Sequence, residues 1–154
     1  MDLPTLLAPQ AIKVVSDVTS KKRLMQALSD TAEQLTGVDA QRIFEALQER
    51  EGLGPTGVGH GVALPHARLD ELTEVRGVFF RLERGIDFDA ADRQPVDLVF
   101  TLLAPSASGV EHLKALALVS RTLRNSALCA KLRANSDPAA LYALLTDAQS
   151  HRAA

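Results

Sequence analysis

The sequence predicts an α/β domain, and three observations carry that prediction. Residues 96–103 (VDLVFTLL) are apolar at nearly every position, the pattern of a central strand covered on both faces. Shorter β-type runs stand at residues 12–15 (IKVV) and 77–82 (GVFFRL). Between them apolar residues recur at helical spacing, as in Leu24, Met25, Leu28, Ala32 and Leu35. With 154 residues, 46% of them hydrophobic, the chain is long enough for one domain with a proper core and short for two, so residues 1–154 are expected to form a single domain.

Each element has its own signals. Residues 1–10 read as loop, with Leu3, Leu6 and Leu7 packed as a short turn, and Ile12, Val14 and Val15 begin the first strand. Thr19 or Ser20 caps the first long helix and Gly37 closes it. Asp39 opens a second helix with Ile43, Phe44 and Leu47 on one side, and this helix delivers Arg50 to the start of a glycine-rich stretch. A cation in that place also suits the helix C-terminus as an ordinary solvated residue.

Residues 52–68 (GLGPTGVGHGVALPHAR) are the most unusual part of the chain. Five of the nine glycines fall within ten positions there, which predicts positive φ angles or close backbone approach. Val62, Ala63 and Leu64 read as a short buried strand, and Pro65 holds Leu64 extended, so His66 is expected at a strand end. Residues 68–75 (RLDELTEV) read as a connecting loop, and residues 85–91 as a turn region. After the central strand, Ser108 and Glu111 have capping-box spacing and start a helix with His112 in its first turn. Its buried side is predicted to be Leu113, Leu116, Ala117, Ser120 and Leu123. A short helix over residues 126–134 and a last helix from Asp137–Pro138 through Leu145 follow, and the tail from about residue 149, with His151, is expected to fray.

Composition narrows the function. A net charge of −2 argues against a nucleic-acid or anionic-membrane binder, and no segment approaches the roughly 20 apolar residues that span a bilayer. Cys129, the single cysteine, makes no internal disulfide, and the amino terminus lacks a signal-peptide pattern, so a cytoplasmic location is expected.

Imidazole serves as acid or base, metal ligand or nucleophile. A zinc site would draw on His60, His66 and His112, but HExxH and CxxC elements are missing. A hydrolase would need a GxSxG elbow or a placed cysteine, and Cys129 falls mid-helix. A nucleotide triphosphatase would need a lysine after the glycines. Transient phosphorylation of a histidine needs less: a neutral imidazole nitrogen, donors for the phosphoryl oxygens and a cation. His66, His112, Arg50 and the amides of a phosphate-binding loop at Gly57, Gly59 and Gly61 meet that list.

The run REGLGPTGVGHGVALPHARL, then IDFDAADRQPVDLVFTLLAP, then EHLKALA, resembles the enzyme IIA proteins of the bacterial phosphoenolpyruvate-dependent phosphotransferase system. It is most similar to the nitrogen-regulatory branch of the fructose and mannitol type. The resemblance implies a three-layer α/β/α domain with a small mixed β-sheet flanked by helices. It implies that His66 accepts a phosphoryl group at Nε2 from a small histidine phosphocarrier protein, that His112 is the second active-site histidine, and that Arg50 closes the site. It implies no metal and no diffusible cofactor, and regulatory targets such as potassium-transport or sensor-kinase proteins. Two alternatives stand beside it: a sugar-specific IIA unit that passes the group to a IIB domain, disfavoured by the stand-alone length, and a non-catalytic metal- or ligand-binding module. His60, between two glycines, is expected to be a harmless variant.

Overall fold

The computed structural model describes the backbone of residues 1–153 and the side chains of residues 1–147. The chain opens with one helical turn, α1 (Leu3–Leu6), capped by the Asp2 carboxylate, which accepts from the Thr5 N–H at 3.0 Å. A 3-10 turn leads into β1 (Ile12–Val15). Helix α2 (Lys21–Thr36) starts at Ser20, whose hydroxyl accepts from the Arg23 N–H, and ends at Gly37 in the left-handed region. Helix α3 (Ala40–Gly52) starts at Asp39, whose carboxylate accepts from the Arg42 N–H. Then come β2 (Gly57–Gly59), β3 (Val62–Ala63), β4 (His66–Leu69), β5 (Arg76–Ile86), β6 (Val96–Pro105), α4 (Gly109–Leu123), α5 (Ser126–Arg133) and α6 (Pro138–Ala153).

Among the described residues, six strands form one mixed sheet. The order is β1-β5-β6-β3-β2, and β4 also lies against β6, beyond β3 along the same edge. The apolar run of β6 is at the centre, antiparallel to β5 and parallel to both β3 and β4. Period-2 alternation divides its side chains between two apolar clusters. Leu98, Phe100 and Leu102 join residues of α1, α4, α5 and α6, whereas Val99 and Leu103 join residues of α2 and α3. Phe79 and Phe80 of β5 part in the same way. Covering both faces with helices makes the expected three-layer α/β/α arrangement.

Several local expectations change. The strand expected over residues 62–64 stops at Ala63 and resumes as β4, so His66 begins a strand where a strand end was expected. Pro65 has no N–H to give to β6, and the Leu64 N–H turns to Thr56 O at 3.0 Å, which interrupts the ladder. The loop expected from residue 68 begins after Leu69, and β5 continues through Gly85 and Ile86, which were assigned to a turn. Ser108 stands at the N-cap of α4, but its hydroxyl donates to Pro105 O, so no capping box forms. Helix α4 turns His112, Ala115, Leu118, Val119 and Thr122 inward with Leu123, leaving Leu113 64% exposed. The backbone of α6 continues past Leu145 to Ala153.

Candidate active site

The alternation of β4 places His66 and Arg68 on one face of the strand, with Ala67 and Leu69 buried on the other. His66 and Arg68 face α4, which contributes His112, and the last turn of α3 contributes Arg50. Together they line an open cavity of about 530 Å³, whose wall includes Leu53, Leu113 and Leu116.

Hydrogen bonds assign a tautomer to each histidine. His66 Nδ1 lies 2.9 Å from Leu64 O, and a carbonyl oxygen only accepts, so Nδ1 carries the proton. Its Nε2 accepts from Arg50 Nε at 3.2 Å and therefore holds the free lone pair. Arg50 is itself anchored through Nη1 to Gly54 O at 3.0 Å. His112 has the opposite arrangement: Arg68 Nε donates to its Nδ1 at 3.1 Å, so the neutral ring carries its proton on Nε2, a buried atom with no partner among the described residues. The two rings meet edge to face with centroids 5.4 Å apart.

The surroundings keep both rings neutral at physiological pH. Burial lowers the His66 pKa below its ordinary value and the Arg50 and Arg68 guanidinium groups add to the effect, opposed by the Leu64 carbonyl and Glu51. Burial, His66 and Arg68 take His112 down to about 4. The cavity thus contains an uncharged nucleophilic nitrogen, an unpartnered N–H and two guanidinium groups, the components that would hold and accept a phosphoryl group.

A second network supports Arg50 from below. The buried Glu51 carboxylate accepts from Thr56 N–H at 2.8 Å and from Thr56 Oγ1 at 2.6 Å, and pairs with Lys21 at 3.0 Å. It closes the loop that contains Gly54, the residue on which the Arg50 side chain rests.

The three glycines do not join this cavity. Gly57, Gly59 and Gly61 belong to the β2–β3 hairpin and are not among the residues that line the cavity. A Cβ on Gly57 would stand 2.8 Å from Ala90 Cβ and 2.9 Å from Ala90 Cα. Gly61 has φ +79° and a Cβ there would stand 2.5 Å from Arg133 Nη2, which donates to His60 O at 2.7 Å. The glycine pattern therefore reports a tight hairpin turn, in which His60 also has positive φ. His60 lies with Gly59, Arg124 and Arg133 along a separate cavity of about 640 Å³. The structure does not gather His60, His66 and His112, and among the described residues no three His, Cys, Asp or Glu side chains form a metal site. Among those residues no helix is long and apolar enough to cross a membrane.

Arg68 lines the cavity although the sequence reading did not place it in the site. The signal was the i, i+2 spacing of His66 and Arg68, which places both on one face once β4 is recognised as a strand.

Comparison with known proteins identifies relatives of the chain. Residues 5–148 match the family described as "Phosphoenolpyruvate-dependent sugar phosphotransferase system, EIIA 2". A nitrogen regulatory protein of Bradyrhizobium diazoefficiens is 49% identical over 145 residues, covering 94% of this chain and 95% of the relative. A fructose-specific EIIA component of Haloferax volcanii is 36% identical over 137 residues, covering 85% and 86%. The crystal structure of nitrogen regulatory protein IIA-Ntr from Neisseria meningitidis superposes with a TM-score of 0.86 at 34% identity, covering 92% of this chain and 97% of that one. The chain belongs to the EIIA type 2 family of the phosphoenolpyruvate-dependent sugar phosphotransferase system.

Proposed function

We propose that the chain is a phosphoryl-carrier and regulatory protein of the nitrogen phosphotransferase branch, phosphorylated on His66 by a histidine phosphocarrier protein. The observation that carries this reading is the tautomer of His66: Nδ1–H is held by Leu64 O, so the lone pair at Nε2 faces Arg50. In the transfer, Nε2 attacks phosphorus in line. A new N–P bond forms as the donor's N–P bond breaks, and its electron pair returns to the donor imidazole. The proton stays on Nδ1 and keeps its hydrogen bond to Leu64 O, which stabilises the developing imidazolium charge. Arg50 Nε–H shifts from the consumed lone pair to a phosphoryl oxygen, and the His112 Nε2–H gains an acceptor.

The phosphoryl oxygens, only partly offset by the imidazolium that keeps its Nδ1 proton, add a net charge of about −1 and so change which partner surfaces fit. Leu53, 83% exposed, and Leu113, 64% exposed, border the cavity and suit contact with a protein donor. The names of the relatives favour regulation over delivery to a IIB domain for sugar uptake. Potassium-transport and sensor-kinase proteins, the targets that the resemblance implies, are the classes to examine.

The test is incubation with phosphoenolpyruvate, enzyme I and a histidine phosphocarrier, read by intact-protein mass. Wild type is expected to gain one acid-labile phosphoryl group and His66→Ala none. An unchanged wild-type mass with a competent donor would overturn the carrier reading.

A further inference from the structure

We propose that Arg68 is a positioning residue that fixes His112 in the Nε2–H tautomer and so makes it a hydrogen-bond donor to a phosphoryl group on His66. The inference rests on the carrier reading above. A guanidinium group has five N–H donors and no acceptor, so the 3.1 Å contact from Arg68 Nε can be made only to a lone pair on His112 Nδ1. The ring is neutral, so its one proton is on Nε2.

That N–H is buried and has no acceptor among the described residues, an arrangement that costs free energy in the resting protein. His112 as a residue is 4% exposed and its Nε2 is buried, which leaves water little access to relieve it. His112 lines the same cavity as His66, with ring centroids 5.4 Å apart, and in the proposed state an oxygen of a phosphoryl group on His66 Nε2 accepts from this N–H. The cost of the orphaned donor in the resting state becomes selective stabilisation of the state with phosphate bound.

The opposite tautomer would place a second lone pair beside the transferring oxygens, where it would repel them. Arg68 excludes that tautomer. It is able to do so because β4 places residues 66 and 68 on one face, and the packing of α4 aims His112 at that face.

The test combines tautomer spectroscopy with transfer kinetics on ¹⁵N-histidine-labelled full chain. In wild type the His112 ring nitrogens should show a pure Nε2–H pattern. Arg68→Met, which removes the donor and keeps the length, should give a mixture of tautomers. The same variant should slow transfer at saturating phosphocarrier by about ten-fold or more, with little change in the phosphocarrier concentration needed for half-maximal rate. Arg68→Gln keeps an N–H donor without the charge and should retain both the tautomer and most of the rate. Unchanged His112 shifts in Arg68→Met would overturn the proposal. So would a rate loss in Arg68→Gln equal to that in Arg68→Met, which would assign Arg68 a purely electrostatic role. A wild type that takes up no phosphate defeats the carrier reading, whereas the ¹⁵N pattern reports on Arg68 without phosphate.

Discussion

Arg50 and His112 bracket His66, and each makes a different demand on solution conditions. Arg50 contacts Nε2 of His66 at rest, and in the proposed transfer it turns to the phosphoryl oxygens. Arg50→Ala should therefore lower the transfer rate by roughly 10²-fold, and Arg50→Lys should recover only part of it because an ammonium lacks the planar fork. Stopped-flow phosphotransfer at saturating donor checks both. His112 links the site to acid stability. Its pKa falls from 6.5 to about 4 on folding, so between those values the unfolded chain binds more protons than the native one. The contribution from the neutral ring is thus fully present above 6.5 and is lost as pH falls toward 4, by roughly 3 kcal/mol in total. Urea unfolding at about pH 7.5 and about pH 4.5 should show a larger loss for wild type than for His112→Gln. That Arg50, His66 and His112 gather at one cavity was legible in the sequence because their residue types are scarce and placed at element ends. Arg68 was not, since a polar run after a proline reads as loop when the parallel pairing with β6 is unknown.

At the scale of elements, the glycine hairpin and α4 show where local pattern and tertiary packing part. Five glycines suggested a phosphate cradle, yet Gly57 is required by the approach of Ala90 and Gly61 by its left-handed backbone against Arg133. Gly57→Ala should cost about 1–3 kcal/mol by overpacking, while its folded fraction still accepts phosphate at the wild-type rate. Thermal unfolding paired with phosphorylation of the same sample separates these effects, and a stable Gly57→Ala that fails to accept phosphate would restore the cradle. Helix α4 was misread by one position because leucines and alanines occur almost all round it, so periodicity does not select a face. Packing against β6 selects it, turning His112 inward and leaving Leu113 at the cavity mouth. The caps of α2 and α3 were readable because Ser20 and Asp39 each hold a backbone N–H within one turn.

The whole molecule places its chemistry where three layers meet. Arg50 arrives from α3 on one face of the sheet, His112 from α4 on the other, and His66 from the strand between them. The α/β class was visible in the apolar run of β6, whereas strand order and the division of β3 from β4 depend on long-range pairing that no local pattern specifies. The central claim is that opposed tautomers make Nε2 of His66 the phosphoryl acceptor. The most direct test is a long-range ¹H–¹⁵N spectrum of the ¹⁵N-histidine-labelled protein before and after phosphorylation. The phosphoryl group should appear on Nε2 of His66, with Nδ1 still protonated and the His112 Nε2–H shifted by its new acceptor. Phosphorus on Nδ1 of His66, or on His112, would contradict the account.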